Sequence, residues 1–94
     1  MNMEEEKIYH KAVELWGKQF QTDMMIEEAS ELIKIILKER RGKVFISEII
    51  EEMVDCQIML NQMKMIYNDD AMWNRLMTHK LSRLQELIES DDNY

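Results

Sequence analysis

Apolar residues recur at three- and four-residue steps almost from end to end of this chain, the spacing that lines one face of an α-helix. No proline interrupts the pattern, and the two glycines, Gly17 and Gly42, mark its breaks. Four helices are predicted. The first runs from about Glu4 to Trp16 with Ile8, Ala12, Leu15 and Trp16 on its inner side. Gly17 ends it or bends it. The second runs from about Asp23 to Glu39, with Thr22 or Asp23 as its cap. Arg40-Arg41-Gly42-Lys43 forms a loop. The third starts near Ser47 and reaches about Ile66 on a spine of Ile49, Met53, Cys56, Leu60 and Met63. Such a seam packs well in a bundle. Asn68-Asp69-Asp70 is a connection and cap. The fourth runs from about Ala71 to Ile88 with Trp73, Met77, Leu81, Leu84 and Ile88 facing inward. A frayed tail covers about residues 90–94.

The predicted fold is all-α, one domain over residues 1–94, a helical hairpin or four-helix chain. A single copy of this length buries a modest core. The expected remedy is a homodimer or homotetramer, and the ten methionines suit core or interface packing.

Charge narrows the partners. Twelve Lys and Arg against nineteen Asp and Glu give a net charge of −7. That argues against a basic face for a nucleic acid polymer, and no long Lys/Arg run contradicts it, while a polyanionic small molecule can still bind where a divalent cation bridges it to carboxylates. Cys56 is the lone cysteine, so no intrachain disulfide is possible and a reducing, cytoplasmic compartment is expected. Its ordinary reading is a small buried apolar residue. His10 and His79 are isolated and offer no Cys/His metal pattern. The acidic start, Met-Asn-Met-Glu-Glu-Glu, is unlike a signal peptide, and no apolar run is long enough to span a membrane.

Two carboxylate groups stand at helical spacing, in Glu27-Glu28-Ala29-Ser30-Glu31 and in Glu52-Met53-Val54-Asp55. Most acids on a helix are simply solvated. A helical wheel separates the exceptions. Lys38, Lys34, Ser30 and Glu31 all lie within roughly 60° of Glu27, a polar stripe. Glu28 falls about 100° away, between Ile35 and Leu32 and inside the apolar arc, with Glu31 at the arc's edge. An ionised carboxylate on a core-facing surface is costly unless paired or bound to metal. A salt bridge from another helix would also satisfy it. On the third helix Glu48 and Glu51 fit a solvated face. Glu52 sits at the margin of the apolar face, and Asp55 about 60° further round. A short loop makes the two helices antiparallel neighbours, which brings the pairs together. Hard oxygen donors favour Mg²⁺, with Mn²⁺ as the alternative.

Glu-Glu-x-x-Glu followed on the next helix by Glu-x-x-Asp resembles the MazG-like all-α nucleoside triphosphate pyrophosphohydrolase superfamily, which includes dimeric dUTPases and phosphoribosyl-ATP pyrophosphohydrolases. Trp16-Gly17-x-x-x-Gln21 and Lys80-x-x-Arg83 extend the resemblance over roughly residues 8–88. It implies a hydrolase that cleaves the α–β phosphoanhydride of a nucleotide to a monophosphate and pyrophosphate, in nucleotide-pool house-cleaning. It also implies a helical bundle completed by oligomerisation. Glu28, Glu31, Glu52 and Asp55 would hold the metal, with Glu27 and Glu28 in the catalytic roles of orienting water and taking its proton. Lys80 and Arg83 would clamp phosphates. Trp16 and Gln21 would contact the base, although Trp16 also fits the inner side of the first helix. The chain is similar to compact, standalone members and carries a single Lys-x-x-Arg where many members have further basic or Asn residues.

Three rivals follow from the same residues. One is a non-catalytic helical module, a nucleotide sensor or dimeric adaptor. Another is a biosynthetic enzyme of the phosphoribosyl-ATP pyrophosphohydrolase kind. A di-iron carboxylate bundle would need a Glu-x-x-His on paired helices, and neither helix supplies that His.

Overall fold

A computed structural model describes residues 2–91 and is helical throughout, with no strand among them. Helix α1 spans Met3–Arg40, α2 Ile46–Tyr67 and α3 Asp70–Asp91. The start of α1 is a capping box: the Asn2 side chain accepts from the Glu5 amide at 2.8 Å, and the Glu5 carboxylate accepts from the Asn2 amide at 3.3 Å. Glu4, Glu5 and Glu6 in the first turn, with Lys38 and Arg40 in the last, oppose the helix dipole. Gly42, at φ 69°, closes α1 with a Schellman motif. Its amide donates to Glu39 O at 2.8 Å, and the Lys43 amide donates to Lys38 O at 3.2 Å.

The first two predicted helices form one element with a break at Gly17, whose φ of 81° and ψ of 169° belong to a region open essentially to glycine alone. Helical backbone resumes at once, so neither Thr22 nor Asp23 caps anything. Thr22 Oγ1 instead donates back to Lys18 O at 3.0 Å, and Asp23 accepts from Gln19 Nε2 at 3.1 Å. The break redirects the chain. In a straight helix Tyr9 would lie about 13 Å beyond Lys18. Lys18 sits over the Tyr67 ring at 5.1 Å, yet Tyr9 accepts from Asn61 Nδ2 at 3.1 Å, well inside the end of α2. The segment before Gly17 therefore turns back across α2. Beyond the break α1 runs antiparallel to α2, where Cys56 Sγ donates to Glu28 O at 3.2 Å.

The core sits between α1 and α2: Tyr9, Ala12, Cys56 and Met59 are buried, with Gln21 and Gln62 among them. This corrects the inner sides expected from spacing. Ile8, Leu15 and Trp16 are exposed, because the break turns the Tyr9 and Ala12 side inward instead. On α2, Cys56 is buried as expected, but Met53 and Leu60 are exposed and the buried line continues through Met59 and Gln62.

Helix α3 departs furthest. Asn68, in the left-handed region at φ 43°, ends α2, and Asp69 Oδ1 accepts from the Met72 amide at 3.0 Å to start α3. That junction is the connection and cap the sequence predicts. Yet α3 buries none of its residues, and Trp73, Met77, Leu81, Leu84 and Ile88 are 38% to 56% exposed. Packing within this chain is chiefly between α1 and α2, and of these five Trp73 lies against α2, under Lys64. The helix also continues through Ser90 to Asp91, past the predicted fraying, and 92–94 lie outside the described residues. No helix among the described residues is long and apolar enough to cross a membrane.

Candidate metal centre

Glu28 is placed by the post-Gly17 half of α1, Glu52 and Asp55 by the second and third turns of α2. The Cys56 thiol donating to the Glu28 carbonyl joins the two backbones at this level. The small Cys56 side chain lets the helices approach here. The result is a group of three carboxylates, Glu28, Glu52 and Asp55, each offering an oxygen within 4.8 Å of the others. All three are half-buried, whereas Glu27, Glu48 and Glu51 are exposed.

The electrostatics are those of unbalanced like charges. Burial, then the charges of Asp55, Glu52 and Glu27, push the Glu28 carboxyl above its ordinary value of 4.5, and a proton taken up there can be shared with Glu52. Burial first, and the Glu28, Glu52 and Asp55 charges after it, push the Cys56 thiol up from 9.0, so it stays a thiol near neutrality. No basic side chain forms an ion pair with the group among the described residues, where the ion pairs are Lys7–Glu4 and Lys34–Glu31. Glu52 Oε2 is buried with no hydrogen-bond partner. An oxygen so placed is costly unless something positive reaches it. Three hard oxygen donors from two helices, one of them orphaned, fit a divalent cation of the Mg²⁺ or Mn²⁺ kind.

The other candidates fall elsewhere. Glu31, one turn after Glu28, lies outside the group: it is exposed, and its carboxylate is 3.6 Å from Lys34 Nζ. Gln21 is only 2% exposed, and its amide spans the Gly17 break to donate to Ala12 O at 3.2 Å. So deep a burial keeps the side chain out of a base's reach. Trp16 is half exposed and packs on Phe20 with ring centroids 5.8 Å apart. Lys80 and Arg83 are exposed on α3, and their side chains pair with nothing among the described residues.

Sequence reasoning did not single out Lys64, which lies over the Trp73 ring at 4.2 Å and pins the root of α3 to α2. Nor did it single out an apolar cavity of about 270 Å³ at that junction, lined by Leu60, Met63, Tyr67, Met72, Trp73 and Leu76 among others. Both depend on the turn angle at Asn68, which spacing does not encode. Comparison with protein-family models, curated proteins and solved structures returns no match for this chain.

Proposed function

We propose that this chain is a Mg²⁺-dependent nucleotide pyrophosphohydrolase, releasing pyrophosphate and a monophosphate from a (deoxy)nucleoside triphosphate. The observation that carries this reading is the orphaned Glu52 Oε2 within a three-carboxylate group built from two helices. The order of the Glu-Glu-x-x-Glu and Glu-x-x-Asp segments supplies the reaction class. Glu28, Glu52 and Asp55 would hold the cation, and Glu31 can join only by leaving Lys34. When bound, the ion supplies charge neutralisation at the phosphates and acidifies a coordinated water.

The residues would divide the work as follows. Water attacks the α-phosphorus, the bond to the bridging oxygen breaks, and pyrophosphate departs with that oxygen. The proton lost by water goes to whichever Glu28 oxygen the cation does not engage. Exposed Glu27 beside it would orient the water. Lys80 and Arg83 would stabilise charge on the departing pyrophosphate, once α3 is brought to the site. The setting we infer is cytoplasmic, in an oligomer of this chain.

The test is a panel of NTPs, dNTPs and phosphoribosyl-ATP with Mg²⁺, followed by pyrophosphate detection. Glu28→Gln should lower turnover at least 100-fold with helix content unchanged. A panel without release from any substrate refutes the reading. The second reading, a nucleotide sensor, draws on the distance of α3 from the acidic group: binding without turnover is what a site short of its phosphate clamp would give.

A further inference from the structure

The start of α1 is held in place by few contacts, and one buried oxygen beneath it has no partner. The Gly17 break lays residues 3–16 across α2, and the Gln21 amide spans that break to reach Ala12 O at 3.2 Å. On α2 the Gln62 side chain is only 7% exposed, yet its Oε1 is buried and accepts from nothing among the described residues. A buried acceptor without a donor is costly. The register of the two helices brings the two glutamines to one level. Glu28 stands opposite Cys56 and Lys18 opposite Tyr67, so Gln21 falls level with about residues 63–64, less than one turn from Gln62.

The seat of residues 3–16 is slight. Tyr9 and Ala12 are buried there, while Ile8, Leu15 and Trp16 stay exposed. The Tyr9–Asn61 hydrogen bond ties the segment to α2. Its first turns stand off from the α2–α3 junction across a polar cavity of about 520 Å³, with Glu6 and His10 on one side and Lys64, Asn68 and Asn74 on the other. We propose that residues 3–16 form a two-position arm that gates the side of α2 bearing Asn61 and Gln62. Docked, as here, the arm crosses α2 and Gln21 donates to Ala12 O. Undocked, Gly17 takes helical φ and ψ, α1 runs straight, and the Gln21 amide moves to Gln62 Oε1.

The two positions exchange comparable contacts. Undocking gives up the burial of Tyr9 and Ala12 and the bond to Asn61. In return Gln62 gains its donor, and Ala12 O takes the amide four residues on, its ordinary partner in a straight helix. Gly17 leaves a conformation open essentially to glycine alone. Neither position satisfies every buried group, which keeps both populated. On the wheel Gln62 lies within about 20° of Asp55, seven residues on and about 10 Å along α2. Undocking therefore opens the far end of a line that starts at the acidic group and is about as long as a nucleoside. That use of the opened side rests on the reading above, whereas the motion does not.

The experiment carries nitroxide labels on Lys7→Cys and Gln57→Cys in the full-length chain, with Cys56→Ser to leave no other thiol, and measures their separation by double electron–electron resonance. Docked, the Tyr9–Asn61 contact keeps the labels below about 20 Å; straight, they stand about 30 Å apart at 1.5 Å per residue. Both distances are expected in one sample. Gly17→Ala should enrich the longer at least fivefold, because a Cβ is strained at a φ of 81°. Gln62→Leu should deplete it at least fivefold and raise the melting temperature, since it rids the docked core of an orphaned oxygen and removes the partner of the undocked one. A glutamine with a purely structural role would instead lower the melting temperature on replacement and leave the distances alone. A single short distance in all of these proteins overturns the proposal, as does a longer one that Gln62→Leu leaves unchanged. Distances that move as expected beside an inactive substrate panel would keep the arm and remove the hydrolase reading.

Discussion

Glu28 carries a conflict that the rest of the chain leaves in place. Its carboxyl is half-buried, faces two other acids and pairs with no basic side chain among the described residues, so the folded chain raises its proton affinity above the ordinary 4.5. An acid held more tightly protonated in the folded state adds stability that is full below about the unfolded value. That stability is lost as pH rises through the higher folded value. In chelator, wild type should therefore lose melting temperature between pH 4.5 and neutrality beyond what Glu28→Gln loses, with the variant more stable at pH 7 and the two converging in acid. Added Mg²⁺ should raise the wild-type melt at neutral pH and leave the variant's unmoved. Circular dichroism melts across pH read both, and parallel curves for the two proteins would show that Glu28 feels no such repulsion. Glu28 was legible in the sequence because period alone puts it between Ile35 and Leu32. Glu31 was not separable from it, since the choice between the group and Lys34 is a local rotamer matter three residues along the same helix.

At the scale of the element, the helices were legible and their breaks nearly so, while the buried sides were not. Gly17 stands where the first periodic run ends, and the Asn68-Asp69 junction reads as a cap in sequence and in structure. But these helices carry apolar residues on more than one side. A wheel then says that Ile8 and Leu15 share a face without saying whether that face meets this chain. What decided it is the Gly17 turn, stabilised by the Gln21 amide on the Ala12 carbonyl. Gly17→Ala should cost about 1–3 kcal/mol, because a Cβ is strained at that φ and ψ even though nothing lies near enough to clash with it. Gln21→Ala should cost about 1–3 kcal/mol by leaving the carbonyl without its buried donor. Urea titrations measure both. A Gly17→Ala variant of unchanged stability would mean that the helix can run straight at no loss, and the placement of Tyr9 against Asn61 would fall with it.

The whole molecule is too open for its length. A compact chain of this size has a radius of gyration of about 12 Å, whereas here it is 16.7 Å, with extents of 51 × 39 × 23 Å. Apolar side chains as large as Phe45, Ile46, Leu81 and Trp16 stand more than half exposed, beyond the scattered exposure usual for a monomer. Composition foretold a shortage of core, since a chain this short buries little alone. It did not say which helix would be left over, because that depends on the turn at Asn68. If folding is completed by association, stability depends on concentration. A hundredfold dilution of a folded dimer removes about 2.7 kcal/mol per dimer, near 1.4 per chain. At about 4–8 °C per kcal/mol for a chain of this size, the melting temperature should fall by about 5–10 °C. A monomer's would not move. Scanning calorimetry at the high end and fluorescence of Trp16 and Trp73 at the low end cover the range. A melting temperature independent of concentration would require the open three-helix chain to be stable by the α1–α2 core alone.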